Sequence, residues 1–132
     1  MQNKGLIKFQ EWKKKADEDF LSACVLIENQ GAPSTITFLS QQIAEKYLKG
    51  FVVLHGKSFE KTHKLDELVM ACENIDASFK ELIDEVAQLN DYYTEARYPL
   101  NTREDIFMKE AEEALKKATS IRDFVLSKIK IS

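Results

Sequence analysis

Apolar residues recur along most of this chain at spacings of three and four positions, which is the period of a helix with one buried face. In the first such segment Trp12, Ala16, Phe20, Ala23 and Ile27 form a single stripe. The same spacing predicts five helices, over about residues 9–30, 34–55, 64–74, 78–98 and from about 102 onward.

Residues with special backbone preferences mark the ends of these helices. Gly31 suits the position that follows the first helix. Thr62 is the expected N-cap of the short third helix. Ser78 and Glu81 fit a capping box at the start of the fourth helix, which ends before Pro99.

The second helix has the broadest apolar face, which indicates a central helix with neighbours on more than one side. In the fifth helix Phe107 opens a seven-residue repeat of apolar residues that we expect to face the core. The sequence shows no strand pattern and no repeat. We therefore predict an all-α fold, an antiparallel up-and-down bundle of four long helices plus one short helix, forming one domain over residues 1–132.

Composition and charge exclude several classes of protein. The chain is 44% hydrophobic and 31% charged, which is typical of a globular domain rather than a disordered one. Its net charge of -3 argues against binding nucleic acid through overall charge, although a local patch can still bind phosphate. Cys24 and Cys72 form no C-x-x-C pair, and the N-terminal segment has no secretory h-region, so we predict a cytoplasmic protein.

Two stripes of polar residues interrupt the helical pattern of apolar residues. The first stripe lies on the second helix. Gln42, Glu45, Lys46 and Lys49 share one stripe, and Gln41 lies beside it. Spacing alone favours a solvated face with an ordinary i,i+4 ion pair between Glu45 and Lys49. Paired glutamines are less typical of such a face, which leaves a ligand-binding or partner-binding surface as the alternative.

The second stripe lies near the end of the fourth helix, in the segment "LNDYYTEARYP". Asn90, Tyr93 and Arg97 follow one another at helical spacing, and an amide, a phenol and a guanidinium together are suited to binding a phosphate or a base. The alternative is that Asn90 and Arg97 hydrogen-bond to neighbouring helices or loops. From spacing alone this structural role is slightly favoured.

The two histidines have structural interpretations as well. His55 lies near the C-terminus of the second helix, where the helix dipole favours a cation. For His63, a local structural role at the start of the third helix is favoured over catalysis. An imidazole close to Arg97 is nevertheless also suited to act as an acid or base. The sequence has no Gly-rich phosphate loop, no metal-ligand spacing and no nucleophile elbow, so we predict no metal and no cofactor.

The combined motifs resemble the HEPN domain family. They are "FLSQQIAEKYLKGFVVLHGKSFEKTHKLDEL", the later "LNDYYTEARYP", and the early residues Trp12, Ala16 and Asp19. The resemblance implies a helical bundle that forms homodimers, a bacterial or archaeal origin, nucleotide binding and a minimal nucleotidyltransferase as partner. Many members of the family are metal-independent ribonucleases of toxin–antitoxin or defence systems, in which an R-x4–6-H motif supplies the catalytic Arg and His.

This chain departs from the ribonuclease motif, because no His follows Arg97. We therefore expect a nucleotide-binding or interaction module that is not an enzyme. One alternative is an RNA endonuclease in which His63 replaces the missing base, and another is a structural adaptor that binds only protein. The candidate binding residues are Gln42, Glu45, Lys46, Lys49, His63, Asn90, Tyr93, Arg97 and Tyr98. We expect all of them except His63 and Tyr98 to line one shared cleft.

Overall fold

The computed structural model describes residues 3–93 and 106–129. Its elements are α1 (Lys4–Glu28), α2 (Pro33–Leu54), α3 (Leu65–Glu73), a 3-10 helix (Ala77–Leu82), α4 (Ile83–Leu89) and α5 (Met108–Ser127). No strand occurs within the described residues. The predicted all-α helical bundle is confirmed.

The second helix is the centre of the bundle, as its broad apolar face predicts. It packs against α1 on one side and α5 on another, and α3 also contacts it. Thirteen residues of α2 are buried, so nearly every face of this helix is covered. Helices α1 and α2 approach closely at Gly5, where an added Cβ would lie 2.2 Å from the carbonyl oxygen of Leu54.

The connections of α1 and α2 use the same type of C-terminal cap. After α1, the amide of Gly31 donates to the carbonyl of Leu26 and the amide of Gln30 donates to that of Ile27. Gln30, with φ 54°, takes the left-handed conformation that the sequence assigned to Gly31. At the end of α2, Gly56 takes the same left-handed conformation, with φ 72°.

The starts of α3 and of the fourth helical segment differ from the prediction. Helix α3 begins at Leu65, so Thr62 is not its N-cap. Asp76, rather than Ser78, caps the 3-10 helix, because its Oδ1 accepts hydrogen bonds from the Ser78 amide (3.0 Å) and hydroxyl (2.6 Å). The predicted capping box with Glu81 is therefore wrong.

The fourth and fifth helices also have different limits. The described part of the fourth helix is a 3-10 turn followed by the seven-residue α4, and not one continuous α-helix. Helix α5 starts at Met108, later than expected. Phe107 precedes this helix and is 76% exposed, so the prediction that it faces the core is wrong. Pro99, which was predicted to end the fourth helix, lies outside the described residues.

Among the described residues, no helix has the length and apolar character needed to cross a membrane.

The Asp76 cap generates a prediction for stability. Its two hydrogen bonds from Ser78 hold the pKa of the Asp76 carboxyl below its ordinary value of 3.8. Asp76→Ala should therefore lower the melting temperature at neutral pH. Because the folded state favours the ionised carboxyl, this contribution is complete above about pH 5 and is lost as the pH falls through the lowered folded pKa.

Glu81→Ala is the matched control, because it removes the carboxylate that the sequence predicted, wrongly, to belong to the cap. Thermal unfolding followed by circular dichroism between pH 2 and pH 7 checks both variants. If Glu81→Ala destabilises the protein as much as Asp76→Ala does, the assignment of the cap is incorrect.

Candidate functional site

The carboxylate of Glu45, on α2, lies at the centre of a buried polar cluster. Glu45 is only 3% exposed. It accepts hydrogen bonds from the Gln41 amide (3.2 Å), the Lys49 ammonium (3.0 Å) and Nδ1 of His63 (3.1 Å). A buried carboxylate is tolerated only when such partners replace its lost hydration. Helical spacing of four places Gln41 and Lys49 one turn on either side of Glu45.

Gln41 connects this cluster to the segment between α2 and α3. Its side chain is fully buried. Its amide nitrogen also donates to the backbone carbonyl of His63 (3.0 Å), and its amide oxygen accepts from Gln42 (2.7 Å). Two side chains of α2 thus hold His63, Gln41 through the backbone and Glu45 through the ring.

The hydrogen bond to Glu45 determines the tautomer of His63. An ionised carboxylate can only accept, so Nδ1 must carry the proton, and in the neutral imidazole Nε2 is then an acceptor. The side chain of His63 is 50% exposed. Within the part of the chain that the structure describes, Nε2 has no hydrogen-bond partner. His63 therefore presents a fixed ring with an accepting nitrogen.

Aromatic rings continue from His63 toward the end of the fourth helical segment. The His63 and Tyr93 rings are stacked, with centroids 4.1 Å apart and planes 12° apart. Tyr93 in turn lies 5.9 Å from Phe38 of α2. This stack brings one residue of the second polar stripe, Tyr93, to the polar stripe on α2.

Two rings cover the other side of the cluster. The ammonium of Lys49 lies 5.5 Å from the ring centre of Trp12 on α1 and 5.2 Å from that of Phe59. The side chains of Lys49 and Glu45 are 9% and 4% exposed. The solvated face favoured by spacing is therefore wrong for this pair. Sequence reasoning missed Phe59, which no local pattern connects to α2.

Other predicted site residues make different contacts. Lys46 forms an ion pair with Asp19 of α1 (2.5 Å), which ties the two helices together. Asn90 accepts from the amide of Leu65 (2.8 Å) and donates to Asp66 (3.0 Å), so it caps α3. The structure thus gives Lys46 and Asn90 structural contacts.

Two candidates from the sequence, Arg97 and Tyr98, lie outside the described residues. Gln42 lies at the edge of the cluster, half-buried beside Gln41. Burial raises the pKa of the Cys72 thiol to about 12, so this cysteine stays protonated at neutral pH and is a core residue.

The buried ion pair generates a test by unfolding. Lys49→Met leaves the Glu45 carboxylate without its cation in a dry environment, and such a change costs about 3–5 kcal/mol of unfolding free energy. Lys13→Met is the matched control, because Lys13 forms an i,i+4 pair with Asp17 whose side chains are 34% and 42% exposed. Removing that pair should cost at most about 0.5 kcal/mol. Denaturant unfolding measures both values, and equal losses would contradict the buried position of Glu45 and Lys49.

Comparison with known proteins agrees with this architecture. The sequence profile of the HEPN domain matches residues 9–129. A comparison with curated protein sequences gives no match.

Two solved structures are similar to this chain. The crystal structure of TT1696 from Thermus thermophilus is 27% identical, with a TM-score of 0.81, and the match covers 97% of this chain and 100% of that one. The crystal structure of ST0689, an archaeal HEPN homologue, is 26% identical, with a TM-score of 0.73, over 92% of this chain and 98% of that one. The profile match spans most of the sequence, and the chain therefore belongs to the HEPN domain family.

Proposed function

We propose that this HEPN domain is a nucleotide-binding module that does not cleave RNA. One observation carries the proposal: a half-exposed His63 ring is fixed by the buried Glu45 carboxylate and stacked on Tyr93. Replacing a buried ion pair by apolar residues often leaves stability unchanged or improves it. A polar cluster of this kind is therefore better explained by the group that it positions than by stability.

Arg97 supplies the second part of the proposed site, on the strength of the family motif. A guanidinium binds phosphate oxygens through two parallel hydrogen bonds and is always charged. The charges of Glu45 and Lys49 compensate each other, so a separate cation is needed for a phosphate. Tyr98 is proposed as a neighbour of that cation, and Gln42, Lys46 and Asn90 are proposed to border the same surface.

We propose that the domain acts as a homodimer and as the partner of a minimal nucleotidyltransferase in a toxin–antitoxin or defence system. HEPN domains commonly dimerise. Leu21 and Val25 of α1, which are 66% and 48% exposed, offer apolar surface for an association of this kind. The free thiols Cys24 and Cys72 fit a cytoplasmic location. Sedimentation that shows only monomer at tens of micromolar protein would contradict the dimer.

A second candidate function is metal-independent RNA cleavage with His63 as the base. The observation in its favour is the accepting Nε2 of a ring that a carboxylate orients, which is the arrangement of a general base. We expect single-stranded RNA to remain intact in the presence of EDTA, because no His follows Arg97. Cleavage that His63→Ala abolishes in a folded protein would establish this second function instead.

Calorimetric titration with ATP tests the proposed function. Wild-type protein should show saturable binding. Arg97→Ala should weaken it by about tenfold to a hundredfold, the usual effect of losing one charge-assisted hydrogen-bonding group. Lys116→Ala, an exposed cation on α5, is the control and should bind as wild type does. If wild type does not bind, the proposal is wrong; if Arg97→Ala binds normally, Arg97 is not part of the site.

A further inference from the structure

We propose that the exposed face of the His63 ring is a stacking platform for a nucleobase. The inference rests on the proposed function and makes it more specific, because it assigns the base, and not the phosphate, to His63. The bound base would be the next ring after Phe38, Tyr93 and His63.

The proposal concerns the face of the His63 ring opposite Tyr93. Tyr93 covers its own face of the ring at a centroid distance of 4.1 Å, in a nearly parallel orientation. The Nδ1 edge is turned toward Glu45. The side chain is nevertheless 50% exposed. With Tyr93 on one face and Glu45 at the Nδ1 edge, the platform that we propose is the opposite face, beside the Nε2 edge.

The ring is already held in place before a ligand arrives. Nδ1 lies 3.1 Å and 3.2 Å from the two carboxylate oxygens of Glu45, and Gln41 holds the backbone carbonyl of His63 at 3.0 Å. Glu45 is itself held by Lys49. A ligand that stacks on this ring therefore loses little affinity to the ordering of side chains.

The chemistry of the ring favours a base over a phosphate. Nε2 of the neutral imidazole is an acceptor, so it repels phosphate oxygens and accepts a hydrogen bond from an amino group or a ribose hydroxyl beside the stacked base. Lys49 already neutralises Glu45, so the cluster offers no spare positive charge when the imidazole is neutral. A flat aromatic face is the surface on which unpaired bases stack in proteins that bind single strands.

Three ligands separate the base from the phosphate and identify its source. They are ATP, inorganic tripolyphosphate and a single-stranded hexa-adenylate RNA. Stacking on one aromatic side chain changes affinity by about fivefold to a hundredfold per base. Wild type should bind ATP or the RNA more tightly than tripolyphosphate by about that factor. Preference for ATP indicates a free nucleotide as ligand, and preference for the RNA indicates a strand.

Two substitutions of His63 test the role of the ring. His63→Phe keeps an aromatic face but loses both ring nitrogens, so it should bind more weakly than wild type and more tightly than His63→Leu, which should lose about the whole stacking contribution. Melting curves confirm that both variants are folded. In the wild type, 2-aminopurine placed in the RNA or in the nucleotide should lose fluorescence on binding, which reports stacking without any substitution.

The outcomes that overturn the platform differ from those that overturn the proposed function. If tripolyphosphate binds as tightly as ATP and the RNA, nucleotide binding through phosphates stands but the platform is wrong. The platform is also wrong if His63→Phe binds as weakly as His63→Leu, or if 2-aminopurine fluorescence does not change on binding. If wild type binds none of the three ligands, both proposals fail.

Discussion

A buried carboxylate, that of Glu45, is the constraint on which the polar face of this domain depends. An ionised group with so little exposure requires donors on both oxygens. Helix α2 provides two of them from its own turns, Gln41 and Lys49, and the third comes from His63 in the segment before α3. Meeting this requirement places the segment against α2 and brings His63 to the ring of Tyr93.

The central position of α2 explains why its polar residues divide between different partners. Lys46 is directed to Asp19 of α1, and Tyr47 donates a hydrogen bond to Asp17 of the same helix (2.5 Å). Burial and the contact with Asp17 raise the pKa of Tyr47, so this phenol remains a neutral donor. These contacts connect α2 to α1, while Glu45, on another side of α2, faces the ligand surface proposed for His63.

The sequence predicts the helices well, because the period of their apolar residues is a local property. It does not predict whether Glu45 and Lys49 are exposed or buried. An i,i+4 Glu–Lys pair has the same spacing in the sequence on a solvated helix face as on a buried one. The cover comes from Trp12 on α1 and from Phe59 in the segment that follows α2, and neither residue belongs to the helical pattern of α2. Their rings meet edge to face at 6.0 Å only after the chain has folded.

Helix caps and the ligand site illustrate two further limits of the sequence. Asp76 and Ser78 both belong to the residue types favoured as N-caps. Their spacing of two positions does not show which one caps the helix and which one donates a hydrogen bond to the cap. For the site, the family motif relates Glu45, His63 and Tyr93 to one surface but says nothing of hydrogen bonds. The tautomer and exposure of His63 follow only from the three-dimensional contacts.

The most direct test of this account is the protonation pattern of the His63 ring. Long-range ¹H–¹⁵N correlation spectra at alkaline pH, where imidazole is neutral, distinguish the two tautomers. The carboxylate contact predicts that the proton of His63 is on Nδ1 and that Nε2 is unprotonated. A proton on Nε2 would contradict the contact with Glu45, and with it the fixed orientation of the ring on which the proposed site depends.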